Sequence, residues 1–141
     1  MGIGVLGELN WIAIVVAALV YFGLGAVWFA RPVFGKAWMR AIDWAGDDEE
    51  KPGAAMYIGP LVVCLIQVIV LAMLLAAVGV AAVGEGIALA LLVGVGLSAS
   101  ALFVAGYFDP KKPQPMVWFG ITAGYHVVGL AIAGLILSLW T

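Results

Sequence analysis

Four long apolar stretches alternate with short polar ones along this chain, at roughly 10–30, 56–80, 86–108 and 116–140. A helix needs about 20 residues to cross about 30 Å of hydrocarbon, and each stretch is long enough. None of the four contains Asp, Glu, Lys or Arg. The pattern predicts an all-α integral membrane protein: a four-helix antiparallel bundle that forms one transmembrane domain over residues 1–141. The connection near Gly84-Glu85-Gly86 has room only for a tight hairpin. The first stretch is expected to be a retained span. It has Glu8 and no base before it, and it exceeds the roughly 7–15 apolar residues of a signal-peptide core.

The loop after the first stretch has a periodicity of its own. Lys36, Arg40 and Asp43 are four and three residues apart, so a helix places them on one face, while Phe34, Trp38 and Ile42 fill the remainder. Pro32 suits the first turn of such a helix. A short amphipathic helix over about 33–44 is expected to lie in the membrane interface, with Lys36, Trp38, Arg40 and Trp44 as candidate lipid contacts. The acidic run Asp47-Asp48-Glu49-Glu50 reads as a solvated turn.

Charge then orients the bundle. All 6 basic residues fall in two loops: Arg31, Lys36, Arg40 and Lys51 in the first, Lys111 and Lys112 in the third. Two crossings separate these loops, so both occupy one side. Basic loops resist translocation, which predicts loops 31–55 and 109–115 in the cytoplasm and both termini outside. Aromatic residues fit this frame, with Trp11 and Trp140 at the outer boundary and Trp28, Tyr57, Tyr107 and Trp118 at the inner one. A faint repeat also relates the two halves, because Trp28-Phe29-Ala30-Arg31-Pro32 and Tyr107-Phe108-Asp109-Pro110-Lys111 leave the membrane in similar ways.

Composition narrows the class further. The chain is 66% hydrophobic and only 10% charged, far from the roughly 25% charge of a soluble domain. Its net charge of −2 and lack of a basic stripe argue against nucleic acid as a partner. Cys64 is the only cysteine and sits in an apolar run, so no intrachain disulfide is possible. Ion-coupled carriers and proton pumps usually keep ionisable groups at membrane depth, and the spans have none of Asp, Glu, Lys or Arg.

Each span does offer one polar side chain near the bilayer midplane: Tyr21, Gln67, Ser98 and His126. At 1.5 Å of rise per residue each lies about 15–18 Å from its end of the span. This layer serves either interhelical hydrogen bonding or a polar path for a small solute. Small residues at four-residue spacing form a second pattern. Gly120 with Gly124 and Gly129 with Ala133 mark a candidate helix-packing or oligomer face, and Gly94/Ser98 and Gly96/Ser100 repeat the spacing in the third span. No nucleophile–base–acid set, metal-ligand cluster or phosphate loop is legible. The chain therefore reads as a non-enzyme with no cofactor and no metal.

Asn10-Trp11, Gly25-Ala26-Val27-Trp28-Phe29, Phe34-Gly35-Lys36-Ala37-Trp38-Met39 and Gly124-Tyr125-His126 together carry a resemblance. The chain is similar to the bacterial family called domain of unknown function 1761, over nearly its whole length. That family's usual Trp-Tyr-Ser-Pro reads Trp28-Phe29-Ala30-Arg31-Pro32 here, so two hydroxyls are lost and the proline shifts by one. The resemblance implies a small membrane protein, in a bacterial inner membrane, and implies no reaction. The leading expectation is a self-associating or accessory membrane subunit, with the lipid bilayer, a second copy or another membrane protein as partners. The alternatives are a facilitator working through the polar layer, and lipid or quinone binding beside the interfacial helix.

Overall fold

The structure is a computed structural model that describes residues 2–44 and 54–140. The acidic run at 47–50, Lys51 and the Pro52-Gly53 lead into the second span lie outside the described residues. A 3-10 turn, Ile3–Glu8, precedes α1 (Trp11–Trp28). A π turn at Arg31–Gly35 runs into α2 (Lys36–Ala41). The second span is α3 (Ala55–Val78). The third consists of α4 (Val83–Val93), a π segment (Gly94–Ala99) and α5 (Ser100–Tyr107), and the fourth is α6 (Pro115–Leu139). Among the described residues there is no strand, and four helical spans are long and apolar enough to cross a membrane.

Local chemistry sets the ends of these helices. Asn10 caps α1, its Oδ1 accepting from the Ala13 amide at 3.1 Å. Gly79, at φ 75°, closes α3 in the left-handed conformation that glycine adopts without penalty. The turn into α4 is therefore Gly79–Ala82, ahead of the expected Gly84-Glu85-Gly86. Those three residues lie in the first turn of α4, where the Glu85 carboxylate accepts from the Ala81 amide at 3.2 Å.

The third span also differs from the single helix expected over 86–108. Its middle turn is wider where Gly94 packs against α6, and a Cβ there would lie 3.3 Å from the Val127 Cα. The Ser100 hydroxyl donates to the Val95 carbonyl at 3.2 Å within that widened stretch.

Helix α6 is the centre of the bundle. α1, α2, α3, α4, the π segment and α5 all pack on it. α1 also lies along α3, whereas α4 meets α3 only sparingly. The core is correspondingly one-sided: Ile14, Ala17, Tyr21, Val68, Leu71, Leu130 and Ala133 are enclosed. In the most apolar 18-residue stretch of each span, only 11% of residues are buried in the third, against 39% in α6.

Two hydrogen bonds fix which ends lie together. The Asn10 side chain donates to the Trp140 carbonyl at 2.8 Å, so the start of α1 meets the end of α6. The Gln114 amide donates to the Ala41 carbonyl at 3.1 Å, so the first and third loops share the opposite end. There Asp109 pairs with Lys112 at 2.6 Å, and that hydrogen bond holds the Asp109 carboxyl below its usual range.

Close approach depends on particular glycines. A Cβ on Gly129 would run into the enclosed Tyr21 ring, while one on Gly120 would meet open space. Gly129→Ala should therefore cost about 1–3 kcal/mol, the usual range for overpacking a filled site. Gly120→Ala should change stability by less than about 0.5 kcal/mol. Denaturation by dodecyl sulfate in mixed micelles measures both, and equal losses would contradict this packing.

Candidate functional site

The midplane residues come together unevenly. Tyr21 is wholly enclosed between α3 and α6. Its hydroxyl donates to Oε1 of Gln67 at 3.1 Å and is hydrogen bonded to Nδ1 of His126. Three helices are thus joined through one oxygen. The neighbouring Tyr125 hydroxyl donates to the Tyr21 carbonyl at 2.9 Å, and the Cys64 thiol lies 3.5 Å from the same hydroxyl. The rings of Tyr21, Tyr125 and His126 are in mutual contact, with centroids 4.9–5.8 Å apart. Ser98 stays apart: it is half-buried on the π segment, with no hydrogen bond to the other three.

Tyr125 and Cys64 belong to this cluster by geometry. The first had a visible signal, since it adjoins His126. The thiol had only its position one turn before Gln67. Among the described residues, no three His, Cys, Asp or Glu side chains gather where a metal ion could be held.

A second site forms where the chain leaves α1. Arg31, Lys36, Met39, Arg40 and Trp44 line a cavity of about 240 Å³. Three of the four expected interfacial residues, Lys36, Arg40 and Trp44, meet here, together with Arg31 and Met39. Trp38 turns the other way. Its indole donates to the Thr122 hydroxyl at 3.2 Å and its ring packs edge-on against Phe29, so this tryptophan docks α2 onto α6. Gly35 and Ala41 are buried nearby, and a Cβ on Gly35 would strike the Phe29 carbonyl at the end of α1. Trp28 also faces inward, donating to the Ile121 carbonyl at 2.8 Å. Helical periodicity found the amphipathic segment, but it could not show which aromatic residue would face protein.

The small residues of α6 are largely used within the chain. Gly124 accommodates Trp28, Gly129 accommodates Tyr21, and Ala133 is enclosed. Gly120 alone of the four is exposed with open space around it. On the third span Gly94 faces α6, while Gly96 and Ser100 face outward. A further cavity of about 370 Å³ lies at the other end of the bundle, among Glu8, Asn10, Leu75, Ser138 and Trp140.

Four apolar spans around a hydrogen-bonded core, with paired loops at one end, define an all-α multi-pass membrane protein. A family described as "Protein of unknown function (DUF1761)" matches residues 12–138, and the chain belongs to that family. No curated protein and no solved structure matches the chain.

If the shared oxygen ties the helices together, Tyr21→Phe should lower stability by about 0.6–2 kcal/mol, the usual worth of interhelical hydrogen bonds in membranes. Denaturation by dodecyl sulfate reads the loss. A Ser98→Ala substitution should leave the transition unchanged, and a Tyr21→Phe protein as stable as the parent would show that the cluster contributes nothing.

Proposed function

We propose that this protein is a non-enzymatic membrane subunit that self-associates or serves as an accessory to another membrane protein. One observation carries the reading: the α4–α5 arm is held mainly by α6 and presents small residues outward. Gly84 and Ala88, then Gly96 and Ser100, are exposed and four residues apart, with open space beside both glycines. Small side chains let helix backbones approach closely, and in lipid that packing is a main source of helix association. The Lys and Arg residues of loops 31–55 and 109–115 support a cytoplasmic position for both loops, with both termini across a bacterial inner membrane. A solute path is the weaker reading, because Tyr21 is enclosed and its hydroxyl is already engaged by Gln67 and His126.

Native mass analysis and crosslinking in nanodiscs test the subunit reading. Gly96→Leu combined with Ser100→Leu should weaken association about tenfold, or about 1.4 kcal/mol, while leaving the unfolding transition in place. A strictly monomeric parent protein with no co-purifying partner would refute it.

The basic cavity favours a second reading, in which an anionic lipid headgroup sits against α2. Lys36 and Arg40 are exposed, and both line the cavity with the apolar edges of Met39 and Trp44. Each cation near an anionic surface is worth about 1 kcal/mol. Lys36→Ala/Arg40→Ala should therefore reduce retained phosphatidylglycerol by roughly 30-fold relative to phosphatidylcholine, as measured by lipid mass analysis of the purified protein. Unchanged retention would leave α2 as an anchor only.

A further inference from the structure

Two polar atoms of the midplane cluster have no hydrogen-bond partner among the described residues. The Tyr21 hydroxyl has one proton, which it gives to Oε1 of Gln67. With that proton directed to Gln67, the contact with His126 uses a hydroxyl lone pair, and we assign the imidazole the tautomer with its hydrogen on Nδ1. Nε2 of His126 is then a bare acceptor, and Nε2 of Gln67 is an amide donor. Neither makes a hydrogen bond among the described residues. Yet among the described residues no enclosed side-chain nitrogen or oxygen lacks a partner. Both atoms must therefore lie at the open edge of the cluster, which agrees with the half-buried state of Gln67 and His126.

The direction of that edge follows from helical spacing. His126 lies one turn before Gly129, which faces Tyr21 of α1, and one turn before Leu130, which faces Gly94 of the π segment. It therefore points between α1 and the third span, where α3 brings Gln67. α3 meets α4 only sparingly, so the gap between them is loosely closed. The opening is at hydrocarbon depth. Gln67 is about 18 Å along α3 from Ala55, and His126 about 16 Å along α6 from Pro115, at 1.5 Å per residue.

We infer that this opening is a lateral site for a neutral amphiphile whose head is a hydroxyl or un-ionised carboxyl group. Such a head has one donor for Nε2 of His126 and one acceptor for Nε2 of Gln67, while its apolar tail stays in lipid between α3 and the third span. A carbonyl alone would satisfy only Gln67, and an ion would lack a counter-charge, since the four predicted spans contain no Asp, Glu, Lys or Arg. A buried water could offer the same pair of bonds, so the test must separate the two. The site does not depend on the self-association reading.

His126 is the only histidine, so one isotope label reports on it alone. The full chain, made with imidazole-15N histidine and no histidine tag, is reconstituted in nanodiscs for solid-state NMR. Hexadecanol is added to one sample and hexadecane to another. The unprotonated Nε2 resonance should move with hexadecanol and stay fixed with hexadecane, and Gln67→Met should at least halve the response at equal mole fraction. Equal responses to the two compounds, or none, would overturn the site. So would an Nε2 already hydrogen bonded to exchangeable water before any addition. The alcohol–alkane contrast in the parent protein remains decisive even if the Gln67 variant does not fold.

Discussion

Tyr21 on α1 joins α3 and α6 in the core. Its ring fills the space that Gly129 leaves on α6, its hydroxyl joins Gln67 on α3 to His126 on α6, and its backbone carbonyl accepts from Tyr125. In lipid, apolar contact between helices gains little over contact with the tails, so close packing and hydrogen bonds must supply the specificity. A polar atom at that depth also has no water to fall back on. A single tyrosine on α1 thus fixes the rotation of three helices, and the shared hydrogen-bonding capacity of one oxygen limits where the other helices can lie.

The fourth partner is held by different means. The α4–α5 arm meets α6 through glycines: Gly86 against Ser138, Gly94 against Val127, and Gly106 against Trp118. Among the described residues, no side-chain hydrogen bond joins this arm to α1 or α3. Shape alone sets its position, and the widened turn at Gly94–Ala99 accommodates that shape. The result is a tight three-helix core with a lipid-facing arm. The small residues on the arm's outer side and the opening beside Gln67 and His126 both follow from this asymmetry.

At the basic end, polar bonds tie loops to helices. Trp28 and Trp38 each spend an indole N–H on α6, through the Ile121 carbonyl and the Thr122 hydroxyl. Lys112 lies over the Trp118 ring, 4.5 Å from its centroid, while paired with Asp109. These contacts convert α2 from a free surface helix into a bracket that turns Lys36 and Arg40 outward. The residues that carry the family resemblance, Asn10, Trp28, Phe29, Gly35, Trp38 and Tyr125, are also among those that join one segment to another.

Hydrophobic run length and the placement of the loops were enough to establish four helices, their alternation and the existence of α2, because lipid allows a spanning segment almost no other backbone. That Tyr21, Gln67 and His126 sit at one level of the bundle was also legible, since rise per residue converts position into height along a helix. Which of them would meet was not. Ser98 sits within the widened π turn, apart from the other three, and hydropathy carries no trace of that widening. Nor could periodicity show that Trp38 faces protein while Trp44 faces the basic cavity, or that Gly129 is filled by Tyr21 while Gly120 stays open. In a chain this apolar every helix face resembles every other, and only the packed arrangement, through close approach and hydrogen-bond direction, distinguishes one face from the next.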